Sequence, residues 1–313
     1  MRKHKKILRI GIGSLVLIIL CLLGYSYVIP PGRHFDYESE FLKENQTEFV
    51  EVNGVKIHYL QKGNGEPLIL IHGGGAWLYA FRNNIDELSK YFTVYALDMP
   101  GHGYTEYSEE DTLDLQYVGE VLKGFMDKKN IKKASFAGHS WGGGWALYFA
   151  QEYPDQVNKL ILIDSSGLED SVEQDQSIWP LMNYPFIGEL LVHFITFQGV
   201  RDGYAVNDKS KIEESVYKEY YKPLTFSRNL RSQYNYQRNL DWSITGSKLS
   251  EMITPILIIW GEKDSVLPVK MAYEYEKRCK NAQLQIIENT GHMPHEEKPD
   301  EVNTLIIGFI KSP

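Results

Sequence analysis

Six short, almost continuous apolar runs, at 68–71, 93–97, 134–137, 160–163, 256–260 and 284–287, alternate with segments of helical spacing at 78–90, 112–129, 141–153, 268–279 and 299–311. Such runs are what strands covered on both faces look like. Strands that alternate with helices build a mostly parallel sheet clad on both sides, because each right-handed crossover lays its helix back on the sheet. Ahead of them, 49–52 and 55–60 alternate in polarity around Asn53-Gly54, the signature of a hairpin that adds an antiparallel edge. From 168 to 251 the alternation stops, and aromatics such as Phe186, Phe197, Tyr217, Tyr220, Tyr234 and Tyr236 fall mainly at helical spacings. That insertion reads as a helical cap over the carboxyl edge of the sheet, where ligands bind in such folds. The expected fold class is α/β, with a core over 47–167 and 252–313 and a cap over 168–251.

The first 46 residues obey other rules. Residues 10–29 contain no charged residue and no amide side chain, and twenty residues at about 1.5 Å each span about 30 Å, the hydrocarbon thickness of a bilayer. Pro30, Pro31 and Gly32 end that helix, and Tyr25 and Tyr27 stand where interfacial aromatics anchor. Arg2, Lys3, Lys5, Lys6 and Arg9 precede it without an acidic residue among them. The expectation is a basic cytoplasmic segment over 1–9, a transmembrane anchor in the lipid bilayer over 10–29, a linker over 30–46, and the rest of the chain on the extracytoplasmic side of the cell membrane. A cleavable signal peptide competes with it, but its apolar region is normally shorter, and no small-residue cleavage site precedes Pro30. The five basic residues leave −13 on the rest of a chain whose net charge is −8. A surface that acidic repels a phosphate backbone, which argues against nucleic acid as a partner.

Chemistry concentrates in the loops that follow the apolar runs. Gly138-His139-Ser140-Trp141-Gly142 fits G-x-S-x-G, a weak pattern alone. Here it follows a strand and opens a helix, the setting in which a serine is pushed out on a sharp turn as a nucleophile. Such a serine needs a base, and the base an orienting carboxylate. Asp264 lies in the loop after 256–260 and His292 in the loop after 284–287. Asp264, at the loop tip, is preferred to Glu262, and His292, directly after a glycine, to His295; His139 reads as a neighbour that shapes the pocket. His72-Gly73-Gly74-Gly75, after 68–71, offers backbone N–H groups for an oxyanion, with Gly74 (Gly75 as runner-up) and Trp141 the expected donors. His295-Glu296-Glu297 and Glu109-Glu110-Asp111 read as solvated surface. No H-E-x-x-H, paired C-x-x-C or G-x-x-x-x-G-K-[ST] occurs, so neither metal nor cofactor is expected. Cys21 and Cys279 make no disulfide framework.

With the turn Asp98-Met99-Pro100-Gly101-His102-Gly103, these motifs stand in the order of the α/β-hydrolase superfamily, which the chain resembles over roughly 47–311, in the form with a helical cap after the sixth strand. The resemblance implies that the Asp98–Gly103 turn is structural, and the serine excludes the relatives with an aspartate nucleophile. The stretch from His72 through Arg82-Asn83-Asn84-Ile85 is similar to hydrolases that cleave carbon–carbon bonds in ring-cleavage products. It departs from them at His139, where asparagine is usual, and at Met293-Pro294, where they carry tryptophan. Gly-x-Ser-Trp-Gly-Gly is similar to proline iminopeptidases, whose H-G-G-P-G is here His72-Gly73-Gly74-Gly75-Ala76. The expected function is hydrolysis of a small acyl substrate, apolar or aromatic, foremost a carboxylic ester. A carbon–carbon hydrolase, an aminopeptidase of the iminopeptidase kind and a non-catalytic binding protein on the same fold are the alternatives.

Overall fold

The computed structural model describes residues 2–108, 110–169, 181 and 183–312. Glu109 and the 170–180 part of the expected cap lie outside the described residues. Eight strands form where the apolar runs and the hairpin predict them: β1 (Glu48–Val52), β2 (Val55–Lys62), β3 (Glu66–Ile71), β4 (Phe92–Leu97), β5 (Ala134–His139), β6 (Val157–Ile163), β7 (Ile256–Gly261) and β8 (Ala282–Ile287). They build one sheet in the order β1-β2-β4-β3-β5-β6-β7-β8. β1 and β2, and β2 and β4, pair antiparallel; every other pairing is parallel.

The helices are α1 (Arg2–Val28), α2 (Glu40–Glu44), α3 (Ile85–Leu88), α4 (Leu115–Lys128), α5 (Trp141–Glu152), α6 (Pro185–Val192), α7 (Phe197–Gly203), α8 (Glu214–Leu224), α9 (Ser227–Asn239), α10 (Ser243–Ser247), α11 (Lys270–Arg278), α12 (Pro294–Glu297) and α13 (Pro299–Lys311). Because side chains alternate along a strand, the continuous apolar runs feed two cores. Ile69, Ile71, Phe136, Leu160, Leu162 and Ile258 face α4, α5 and α11. Leu68, Leu70, Ala137, Ile161, Ile163 and Ile259 face α3 and α13.

The spacing at 78–90 predicts one helix, and the structure divides it. A 3₁₀ turn over Leu78–Phe81 and the four-residue α3 flank Arg82-Asn83-Asn84. Polar groups there are taken by distant partners: Asp98 Oδ1 accepts from Leu78 N–H at 2.7 Å, and Asn84 Nδ2 donates to the His295 carbonyl at 3.1 Å and to Asn303 Oδ1 at 2.9 Å.

Between β6 and β7 the chain runs through α6–α10. Helix α9 is fastened along the turn after β4: Asn229 Nδ2 donates to Gly103 O at 2.7 Å, Ser232 Oγ to Gly101 O at 2.5 Å and Tyr236 OH to Pro100 O at 3.1 Å. Residues 33–44, expected to be a linker, are packed instead. Phe35 stacks on Phe197 and meets Tyr221 edge-on, Phe41 meets Trp77 and Tyr79, and Glu219 of α8 accepts from Tyr37 OH at 2.9 Å and Phe41 N–H at 3.2 Å. Aromatic side chains among the charges make this stretch a strap rather than a spacer. Helix α1 exposes its apolar side chains between Ile10 and Val28, a length and composition sufficient to cross a membrane. It touches the remainder near its carboxyl end, where Tyr27 packs on Phe186 of α6 and the Ser26 carbonyl lies 3.2 Å from His193 Nε2.

Candidate active site

Ser140 is the single residue between β5 and α5, so the turn must be made by the serine itself, at φ 51° and ψ −121°. A non-glycine residue held there costs of order 1–3 kcal/mol and persists only where its surroundings enforce it. Ser140 N–H donates to the Ile163 carbonyl at 3.0 Å, and its carbonyl accepts from Gly143 and Ser166 at 3.0 Å each. Glycines make room for the turn: a Cβ on Gly138 would lie 2.2 Å from the Gly142 carbonyl oxygen, and one on Gly142 would lie 2.3 Å from that of Ile71.

The neighbouring strand ends bring the expected partners to the same edge. Asp264 follows β7 and is buried; its Oδ1 accepts from Val266 N–H at 2.7 Å and Leu267 N–H at 3.0 Å, while Oδ2 lies 2.7 Å from His292 Nδ1. Burial alone would raise the Asp264 carboxyl. The charge and hydrogen bond of His292 outweigh it and hold the group below its ordinary value. His292 is fixed through its backbone from two sides. Its N–H donates to Ala205 O, between α7 and α8, at 2.8 Å, and its carbonyl accepts from His139 Nε2 at 2.7 Å. His139 therefore positions the His292 loop. Burial first, then His295 and His292, push its ring well below the ordinary imidazole range, so it stays neutral.

The other two candidates stand elsewhere. Glu262 is exposed and its Oε2 accepts from Asn289 N–H at 2.9 Å. His295 is fully buried, with its ring 4.5 Å from that of His139 and 5.0 Å from that of Phe81. The loop after β3 closes over the serine: a Cβ on Gly73 would lie 3.0 Å from Ser140 Cβ, and one on Gly74 would lie 2.6 Å from the Trp141 ring. Neither Gly74 N–H nor Trp141 N–H donates a hydrogen bond among the described residues.

The reading of His295-Glu296-Glu297 as solvated surface is corrected here. Glu296 is buried, pairs with Arg82 Nη1 at 2.5 Å and accepts from Tyr204 OH and Tyr220 OH. A buried carboxylate needs such partners, and this one joins the Arg82-Asn83-Asn84 stretch and the inserted segment to α12, just beyond His292. Asp98 is likewise a structural centre: His58 Nδ1 is 2.7 Å from its Oδ2, which also accepts from Tyr104 N–H at 2.9 Å. Sequence reasoning passed over Asp164, the residue directly after β6. It is fully buried, and one oxygen of its carboxylate, one of Asp264 and one nitrogen of His292 lie within 4.8 Å of one another. The available signal was its place at the carboxyl end of a buried strand beside that of Ser140.

A family profile described as alpha/beta hydrolase fold matches residues 66–299. The 2-hydroxy-6-oxo-6-(2'-aminophenyl)hexa-2,4-dienoic acid hydrolase of Metapseudomonas resinovorans is 29% identical over 277 residues, 84% of this chain and 90% of its own. The solved meta-cleavage product hydrolase from Pseudomonas fluorescens superposes with a TM-score of 0.72 at 24% identity, over 84% of this chain and 96% of its own. A bacterial membrane phospholipase A superposes with a TM-score of 0.71 at 22% identity, over 99% of this chain and 98% of its own. Both structural likenesses are likenesses of fold.

Proposed function

Because the chain belongs to the alpha/beta hydrolase fold family and is a hydrolase, we propose that Ser140, His292 and Asp264 are its catalytic triad and that it cleaves a carboxylic ester through an acyl-enzyme. The observation that carries this reading is one sheet edge that holds both a serine strained to φ 51° and a histidine whose Nδ1 lies 2.7 Å from a buried aspartate. With Nδ1–H given to Asp264, His292 Nε2 is left to take a proton. Ser140 Oγ then attacks the acyl carbon and loses its proton to Nε2, and the carbonyl oxygen gains the negative charge. The N–H groups of Gly74 and Trp141, free of other acceptors among the described residues, stabilise that oxyanion by about 3–4 kcal/mol each if they act as such donors usually do. His292 returns the proton to the departing alkoxide, and water repeats the sequence to release the acid.

Residues 168–251 act as the cap in this reading, and the aromatic character of α8 and α9 suits an apolar or aromatic acyl group. Residues 10–29 anchor the chain in the bilayer, the five basic residues before them hold that end in the cytoplasm, and the hydrolase unit faces the other side.

The full chain in detergent should be labelled by a fluorophosphonate, and Ser140→Ala should not be; equal labelling of the two would sink the triad. Carbon–carbon hydrolysis is the second reading, supported by the relative from Metapseudomonas resinovorans and its name. Turnover of aryl esters without turnover of a 2-hydroxy-6-oxodienoate favours the ester, and the reverse pattern favours the carbon–carbon bond.

A further inference from the structure

Beside the His292–Asp264 pair lies a buried carboxyl group that the proposed chemistry leaves unused. Asp164 continues β6 by one residue, at φ 40°, a conformation aspartate tolerates better than most side chains. The residue before it and the second residue after it brace the serine: Ile163 O accepts from Ser140 N–H, and Ser166 N–H donates to Ser140 O. Its Oδ1 accepts from Gly261 N–H at 2.9 Å, and Oδ2 has no hydrogen-bond partner among the described residues.

Two carboxylates this close and this deeply buried do not both ionise unless a cation sits between them. The titratable groups that act on the pair are His292 after β8 and Glu297 on α12, and His139 at the end of β5 and His295 on α12 stand against His292 in turn. His139 is neutral, Glu297 adds negative character, and His292 already spends Nδ1 on Asp264. Burial first and the Asp264 carboxylate second push the Asp164 carboxyl well above the usual range, whereas Asp264 is held low.

We propose that Asp164 is a positioning residue of the hydrolytic site: a neutral carboxylic acid whose Oδ2–H donates to Asp264. The inference rests on the triad read above. The donated hydrogen bond keeps the single negative charge of the pair on Asp264, and it draws part of that charge away from His292. An imidazolium at His292 is then less stabilised than it would be beside an unshared aspartate. The ring consequently stays neutral, and able to accept the Ser140 proton, to lower pH.

The rate of fluorophosphonate labelling of the full chain in detergent, followed against pH, tests this through its acid limb. Asp164→Asn keeps both contacts, an oxygen for Gly261 N–H and an amide donor for Asp264, and its limb should coincide with that of the wild type. Asp164→Ala removes the donor, and its limb should move up by about one pH unit, a tenfold slower labelling at any pH below both midpoints. Limbs that move down in both variants mean an ionised Asp164 and overturn the proposal; so do three coincident limbs, which mean a packing role. A second measurement needs no activity: the infrared difference spectrum of wild type minus Asp164→Asn at pH 7 should contain the carbonyl stretch of a protonated carboxyl. Its absence overturns the proposal even if Asp164→Ala fails to fold. A wild type that labels at no pH would sink the triad instead, and the infrared band would still report whether Asp164 carries the proton.

Discussion

His295 shows how much a single buried side chain can add to the pH dependence of the fold. Neither ring nitrogen has a hydrogen-bond partner among the described residues. Burial, then the charge of Arg82, pushes its pKa down to about 3. A histidine depressed in this way contributes stability that is fully present above its unfolded value near 6.5 and is lost as the pH falls towards the folded value, because only the unfolded chain takes up the proton. His295→Leu should therefore fold normally at pH 7. On going from pH 7 to pH 5 its unfolding free energy in urea should fall by about 2 kcal/mol less than that of the wild type. Equal losses would mean that the ring is protonated in the native state. Gly142 is the opposite case, set by space alone. The added methyl of Gly142→Ala would meet the carbonyl oxygens of Ile71 and His72 at 2.3 and 2.4 Å, backbone atoms that a sheet cannot move, and a cost of about 3 kcal/mol or more in urea unfolding is expected. Gly308→Ala in α13, with nothing within 4 Å of the new atom, should gain about 0.5–1 kcal/mol. That Ser140, Asp264 and His292 stand at one edge of the sheet was legible in the sequence because each follows a strand at a loop with few alternatives. Asp164 and the contact of His139 with the His292 carbonyl were not, because both depend on which strand ends lie side by side, and strand order is not written along the chain.

At the scale of elements, the buried runs of β3 to β7 were legible because a strand covered on both faces has few polar positions to confuse it, and β1 and β2 because they alternate around Asn53-Gly54. Short helices with tertiary caps were not, as the division of 78–90 around Asn84 shows. The strap was missed for a related reason. Between 31 and 39 the side chains alternate: Pro31, Arg33, Phe35, Tyr37 and Ser39 are covered or half-covered, and Gly32, His34, Asp36 and Glu38 are exposed. That alternation is a strand-like signal, masked in the sequence by the charge of the exposed members and by a partner, α8, that lies about 180 positions away. Glu219 is the fastening, buried and bonded to Tyr37 OH and Phe41 N–H. Glu219→Ala should lower stability by about 1–3 kcal/mol, and limited proteolysis should cut within 33–46 faster than in the wild type. Unchanged cleavage would mean that the aromatic contacts of Phe35 and Phe41 suffice.

For the whole molecule, the distribution of contacts separates the apolar helix α1 from the unit that holds the proposed triad. Helix α1 touches the remainder near its carboxyl end, through Tyr25, Ser26 and Tyr27 against α6 and His193, while its side chains from Ile10 to Leu20 are exposed. A charge in that exposed stretch alters nothing in the hydrolase unit, yet it costs about 2.5–3.5 kcal/mol at the centre of a bilayer. Leu17→Lys and Ile18→Lys together should shift the protein from the membrane pellet towards the soluble fraction and leave fluorophosphonate labelling per folded molecule unchanged. Retention in the pellet with labelling intact would mean that another surface holds the protein to the membrane. Loss of labelling would mean that α1 supports the fold of the unit it carries. The proposed orientation rests on the five basic residues ahead of the helix. In intact cells whose outer face is open to added protease, the hydrolase unit should be degraded before lysis, and protection until lysis would reverse the topology. Exchanging Arg2, Lys3, Lys5, Lys6 and Arg9 for glutamine should weaken that preference, because the bias resides in cationic side chains near the end of the span rather than in the net charge of the chain.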